Sequence, residues 1–63
     1  MTTAQDAIAR SISHNEIITI DNTDENLEAL LVECDDHTET GSVHEFWGTD
    51  DDGNEWRVHA RRP

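Results

Sequence analysis

Residues 42–61 read SVHEFWGTDDDGNEWRVHAR, and this stretch contains both tryptophans and the single phenylalanine of the chain. The pair Asp52-Gly53 predicts a tight turn between two strands, because glycine adopts positive φ without steric cost. Side chains alternate between the two faces of a strand, so one face of this hairpin should form the floor of a core. The residues expected on that face are Val43, Trp47, Trp56, Val58 and Ala60.

The opposite face of the hairpin carries mostly polar side chains. We expect it to be exposed, with Phe46 packed under Arg57 and with His44 and His59 near each other. An exposed phenylalanine ringed by polar groups is either an ordinary solvated face or the centre of a small binding patch. The residues expected on this face are His44, Phe46, Gly48, Glu55, Arg57, His59 and Arg61.

Upstream of the hairpin the sequence predicts a helix followed by a strand. Thr2 and Gln5 have the spacing of a capping box before an alanine-rich run, which predicts a helix over residues 3–13. Residues 16–21, EIITID, are rich in β-branched side chains and predict a strand with one covered face. The covered positions of this strand are Ile18 and Ile20.

A second helix is predicted between this strand and the hairpin. Asn22-Thr23 is a typical N-cap pair, and the acids that follow it suit the positive end of a helix dipole. Four apolar residues then recur with helical spacing, so this helix should cover the tryptophan face of the hairpin. Residues 37–41, HTETG, are polar and predict a loop. The apolar positions of the helix are Leu27, Leu30, Leu31 and Cys34.

Together these elements predict an α+β fold with the order α-β-α-β-β in one domain over residues 1–63. The sheet would have three antiparallel strands, with both helices on one face. We place the last strand in the middle of the sheet, because it is the more apolar strand of the hairpin.

The charge of the chain limits its partners. It has 15 acidic residues, four arginines and no lysine, for a formal net charge of −11, and no basic residue lies between Arg10 and Arg57. Such a body repels nucleic acid and anionic membranes and attracts basic clefts. We therefore expect a basic protein surface as the partner, with no direct binding to nucleic acid or membrane.

The sequence also indicates the compartment. The single cysteine, Cys34, permits no disulfide within the chain, and no apolar run reaches the roughly 18 residues of a membrane span. The first ten residues, MTTAQDAIAR, lack the basic start and apolar middle of a signal peptide. We expect a cytoplasmic protein.

Metal binding and catalysis lack the residues that they need. Cys34 and His37 bracket two aspartates, but zinc sites use three or four ligands at defined spacings. If Gly53 is aligned with the glycine of an EF-hand loop, Gly48 and His59 stand where acidic ligands belong. No nucleophile with a neighbouring base and no phosphate-binding loop is recognisable. We expect no metal, no cofactor and no enzymatic activity.

The acidity itself has three interpretations. Abundant acids without lysine are typical of small domains adapted to high salt. A folded scaffold that displays carboxylates along a helix, a loop and a turn can also occupy the basic groove of a DNA-binding protein. A third interpretation is an antitoxin-like subunit that docks on a basic partner. The carboxylates expected to contact a partner are Glu25, Glu28, Asp35, Asp36, Glu39, Asp50, Asp51 and Asp52.

In size, acidity and simple α/β architecture the chain resembles the small phage-encoded anti-CRISPR proteins that mimic DNA. The resemblance is compositional and covers the whole chain, since those proteins share no common motif. It implies a monomeric inhibitor that acts in the host cytoplasm. Such an inhibitor would block the site at which a CRISPR surveillance complex recognises the short motif beside its target, or the channel that holds the target duplex.

Overall fold

The computed structural model describes residues 3–62, which form two helices and four strands. The strands make one mixed sheet in the order β1-β4-β3-β2, in which β1 and β4 are parallel and the other neighbours antiparallel. In chain order the elements are α1 (Ala4–His14), β1 (Ile17–Asp21), α2 (Asp24–Glu33), β2 (Asp36–Thr40), β3 (Val43–Thr49) and β4 (Glu55–Arg61).

The α+β class is confirmed, and so is the central position of the last strand, which lies between β1 and β3. The prediction of three antiparallel strands is wrong, because residues 37–40 of the predicted loop belong to a fourth strand, β2. β2 adds one reversal to the chain, so β4 runs in the same direction as β1.

β2 escaped prediction because all five of its residues are exposed, so no apolar alternation marks it. It pairs with β3 through a two-residue connection, in which Thr40 faces Val43 across Gly41 and Ser42. Gly41 has φ of 60°, at the loop position that the type II′ turn reserves for glycine. The polar stretch is therefore the outer strand of a second hairpin.

The helix boundaries follow local capping chemistry. Thr3 caps α1, since its Oγ1 accepts a hydrogen bond from the Asp6 N–H at 3.1 Å, and Asn15 ends the helix with φ of 53°. Thr2, predicted as the cap, lies outside the described residues. Thr23 caps α2 by accepting from the Asn26 N–H at 3.2 Å. Neither helix is long and apolar enough to cross a bilayer, as judged over the described part of the chain.

The core lies between the helices and one face of the sheet, which we call the covered face. α1 lies over β1 and β4, whereas α2 packs against α1 and β3. The inward placement of Ile18, Ile20, Trp56, Val58 and Ala60 is confirmed. The buried apolar residues are Ala4, Ala7, Ile18, Ile20, Leu30, Phe46, Trp56, Val58 and Ala60.

The face assignment predicted for β3 is wrong. Phe46 is fully buried, whereas the Trp47 side chain is 36% exposed on the other face. If Asp52 and Gly53 were the two central residues of the turn, Trp47 would pair with Val58. The loop is instead closed between Asp50 and Asn54, so Phe46 pairs with Val58. A shift of one residue moves every side chain of a strand to the opposite face.

Gly48 makes room for the Trp56 ring on the covered face. Gly48 is directly opposite Trp56, and a Cβ on this glycine would lie 2.9 Å from Cζ2 of the indole. The Trp56 ring therefore occupies the space that a side chain on β3 would need, and it packs across bare backbone.

The apolar stripe predicted for α2 is only partly buried. Leu30 is fully buried and Leu27 and Cys34 are half-buried, but Leu31 is 46% exposed and Val32 is 76% exposed. The helix packs mainly against α1 and β3, so the residues on its far side are exposed. α2 shares the covered face of the sheet with α1, which lies over β4.

Ser11 joins α1 to the sheet. Its hydroxyl donates to the Glu16 carbonyl at 2.7 Å and accepts from the Arg57 N–H at 2.9 Å. The side chain is 2% exposed, so both hydrogen bonds are shielded from water. One small polar residue thus satisfies two backbone groups where the end of α1 meets β4.

Candidate functional site

Carboxylates from four segments of the chain meet at one end of the sheet, where β3 ends and the other three strands begin. The segment before β2 is held there because the Asp35 N–H donates to the Trp47 carbonyl at 2.9 Å. The hairpin loop 50–54 projects from the same end, and Glu16 and Glu55 line one hollow there. We call this surface the acidic end; it comprises Glu16, Asp35, Asp36, Asp50, Asp51, Asp52 and Glu55.

Five of the eight carboxylates predicted to contact a partner lie at this end. The other three do not join them. Glu25 is in the first turn of α2, Glu28 is one turn further along, and Glu39 is near the far end of β2. Glu16 and Glu55 also lie at this end but were not predicted to contact a partner. The only feature of the sequence that could have indicated them is their position at the start of a strand. The predicted residues at the acidic end are Asp35, Asp36, Asp50, Asp51 and Asp52.

Asp50 organises the loop. Its Oδ1 accepts hydrogen bonds from the backbone N–H groups of Asp52 at 2.9 Å and Asn54 at 2.7 Å, and its Oδ2 accepts from the Asn54 side-chain amide at 3.2 Å. The hydrogen bond from the Asn54 N–H is the main reason why the pKa of Asp50 lies below its ordinary value. This carboxylate is thus occupied within its own loop.

The remaining aspartates of the acidic end are more available. One oxygen of Asp35 accepts from the Thr49 hydroxyl at 3.1 Å, and one oxygen of Asp36 accepts from the His37 N–H at 2.8 Å. Within residues 3–62, the carboxylates of Asp51 and Asp52 have no side-chain hydrogen bond or ion pair. These two point charges therefore remain fully available to a partner.

The second candidate surface is the face of the sheet that bears no helix, which we call the open face. Trp47 and Ile17 are its exposed apolar residues, 36% and 48% accessible. A hollow of about 270 Å³ beside them is lined in part by Glu45, Arg57 and His59. The open face comprises Ile17, Thr19, Asp21, Asp36, Thr38, Thr40, Val43, Glu45, Trp47, Thr49, Glu55, Arg57, His59 and Arg61.

The predicted patch around an exposed phenylalanine is wrong, because Phe46 lies under two imidazoles. The rings of His44 and His37 stack on it at centroid distances of 4.3 and 5.6 Å. The His37 Nδ1 and His44 Nε2 atoms are 2.9 Å apart, so one donates to the other. The histidines extend the covered face beyond the reach of the helices.

The expected neighbourhood of His44 and His59 is also wrong, because they point to opposite faces of the sheet. His44 lies on the covered face, where its Nδ1 is 3.8 Å from a Glu39 oxygen. His59 lies on the open face, where its Nε2 is 3.3 Å from a Glu45 oxygen. Each histidine thus has its own carboxylate, and the two do not form one site.

Cys34 is a half-buried thiol at the end of α2. Burial raises its pKa, and the negative charges of Asp36 and Asp35 raise it further. The thiol therefore stays protonated near neutral pH and is a weak nucleophile. Over residues 3–62, no three His, Cys, Asp or Glu side chains are arranged to hold a metal ion.

Comparison of the chain with protein-family models, with curated proteins and with solved structures gives no match.

Proposed function

We propose that this chain is a non-enzymatic binding protein whose acidic end occupies the nucleic-acid-binding surface of a basic partner. In its most concrete form it is an anti-CRISPR DNA mimic that prevents a CRISPR effector complex from recognising the motif beside its target. The observation that carries the proposal is the meeting of seven carboxylates, from four chain segments, at one end of the sheet.

The density of charge at this end supports mimicry. Four neighbouring strands span three intervals of about 4.8 Å, or about 14 Å. Duplex DNA carries one negative charge per about 1.7 Å of axis, or about eight over the same length. The acidic end thus approaches the charge density of a duplex, although Arg57 lies close to it on β4.

The roles of the carboxylates follow from their local bonds. Asp51 and Asp52 would meet arginine or lysine directly through charge-assisted hydrogen bonds, and Asp35 and Asp36 would each offer their second oxygen. Asp50 would hold the loop in shape. Glu25 and Glu28 form a separate pair in the first turns of α2, away from the acidic end.

A second candidate function is supported by the remaining acids. Eight of the 15 lie outside the acidic end, and every carboxylate is exposed or half-buried. A domain adapted to high salt, or an antitoxin-like subunit with a basic partner, would also distribute charge in this way. If the acids serve salt adaptation, the chain should fold only in molar salt, as measured by circular dichroism. A mimic would fold in dilute buffer.

The test is competition for target DNA on a purified CRISPR effector complex. We expect excess protein to displace the DNA, and the inhibition to weaken as salt rises. Double reversal D51K/D52K should weaken inhibition by at least about tenfold, since each lost charge-assisted bond is worth roughly 1.5–3 kcal/mol.

The matched control is E25K/E28K, which changes the net charge by the same amount on α2. It should keep most of the inhibition if the acidic end is the contact surface. Equal losses in the two variants would indicate a general charge effect. Unchanged DNA binding in the presence of excess protein would contradict the anti-CRISPR form of the proposal.

A further inference from the structure

The open face carries only a small part of the negative charge of the molecule. It carries Asp21, Asp36, Glu45 and Glu55 against Arg57 and Arg61, so it accounts for −2 of the net charge of −11. It also presents the exposed indole of Trp47 at its centre. A polyanion that keeps one nearly balanced face with an exposed tryptophan has a surface suited to protein contact.

We propose that the open face docks a second copy of this chain, face to face, about a twofold axis that runs parallel to the strands between β3 and β4. The strand register places Ile17, Arg57, Trp47 and Asp36 side by side in one row across the sheet. Rotation about this axis keeps each row opposite the same row of the second copy but reverses its order. Trp47 on β3 therefore lies on Arg57 on β4 of the second copy. Each dimer thereby gains two cation–π contacts.

The next two rows are also complementary under this axis. In the second row, Glu45 meets His59 of the second copy, which repeats the pairing that each chain makes within itself. In the third row, Arg61 lies over Val43 of the second copy. No pair of like charges comes into direct opposition on the two central strands.

The other in-plane axis, perpendicular to the strands, gives a poor fit. Where that axis passes through the Glu45–His59 row, it would place Glu45 on Glu45 of the second copy and Arg57 on Arg61, and directly opposed like charges are destabilising. The axis parallel to the strands avoids both oppositions, and it leaves the two hairpin tips pointing in the same direction.

The size of the open face limits how tightly two copies can associate. Four strands at about 4.8 Å and five residues at about 3.3 Å give a face of about 19 by 17 Å. Two such faces bury about 650 Å², about half of the roughly 1,200 Å² at which stable complexes begin, so the dimer should be weak. Each copy carries −11, so screening by salt should favour association.

Sedimentation equilibrium of the full chain tests this proposal over protein concentrations from about 10 µM to about 1 mM, which bracket weak association. The expected result is a mass that rises from one chain toward two, and rises further at about 0.5 M salt than at about 0.05 M. This dependence on salt is opposite to that of acidic-end binding, so the two proposals can fail separately.

Trp47→Ala should weaken association by at least about tenfold, as loss of a central aromatic contact does. Arg57→Glu, which places a carboxylate under the partner indole, should weaken it as well and gives a second variant should the first fold poorly. The control is Val32→Ala, which removes an apolar side chain that is 76% exposed on α2 and should leave the dimer unchanged.

Three results would overturn the proposal. One is a single-chain mass throughout, as the monomer expected from the sequence requires. Another is equal weakening by Trp47→Ala and Val32→Ala, which would place the contact elsewhere. The third is loss of the dimer as salt rises. Protection of Trp47 only in a complex with a basic protein would assign the open face to that protein.

Discussion

The two faces of the sheet are built from alternate residues of the same strands, yet they have opposite surroundings. On the covered face, Phe46 and Val58 are fully buried beneath helices and imidazoles. On the open face, their chain neighbours Trp47 and Arg57 are exposed. Side-chain size therefore does not choose the face of a strand. Here the hairpin loop chooses it by setting the register.

Among substitutions that test this difference between the faces, Phe46→Ala should lower the free energy of unfolding most. Loss of a fully buried ring should cost about 3–5 kcal/mol. A chain of 63 residues has about 3–9 kcal/mol in total at typical stabilities per residue. We expect the variant to be largely unfolded by circular dichroism.

Trp47→Ala is the matched control for that experiment, because it removes a larger ring from the open face. It should cost clearly less than Phe46→Ala, about 1–2 kcal/mol as measured by urea titration, because Trp47 is 36% exposed whereas Phe46 is fully buried. Equal destabilisation by the two substitutions would show that the assignment of the faces is mistaken.

A smaller effect is expected at the joint between α1 and the covered face. Ser11→Ala leaves the Glu16 carbonyl and the Arg57 N–H without their buried partner, which should cost about 1–3 kcal/mol. Ser13→Ala, at an exposed position of the same helix, is the control and should be nearly neutral. The midpoints of urea unfolding measure this difference, provided that the free energy of unfolding depends equally on urea concentration in both variants.

The smallest effect concerns the loop that sets the register. The pKa of Asp50 is lower in the folded protein than the roughly 3.9 of an unfolded aspartate, so its ionised form stabilises the fold above that pH. This contribution is lost as pH falls through the folded pKa. Asp50→Asn should therefore lower stability at neutral pH and make it depend less on pH in acid.

Asp51→Asn is the control for Asp50, since no hydrogen bond holds the Asp51 side chain in the described residues. In Asp51→Asn, the midpoint of urea unfolding should fall with decreasing pH as steeply as it does in the parent protein. If both variants show the same slope, the loop bonds of Asp50 do not contribute to the acid dependence of stability.

Much of the covered face could be predicted because its signals are local. The spacing of apolar residues located both helices, and the β-branched run at Ile18 and Ile20 located β1. β2 could not be found this way, because an exposed edge strand needs no apolar alternation. Which side chains of β3 face the core depends on a hairpin loop of three residues, whereas Asp52-Gly53 alone suggests a loop of two.

The candidate site was predicted in part for the same reason. Acidity is visible in the sequence, but the meeting of Asp35 and Asp36 with the hairpin tip depends on the direction of β2. The loop bonds that occupy Asp50 require the closed geometry of residues 50–54. The exposure of Trp47 follows from a register that only the folded hairpin reveals.

The placement of the two tryptophans gives the protein a pair of built-in optical reporters. Trp56 is 3% exposed and lies against Gly48, whereas Trp47 faces water. Acrylamide should therefore quench the emission of one indole and spare the other. Replacing either indole with phenylalanine would leave a chain whose fluorescence reports either unfolding of the interior or occupancy of the outer surface.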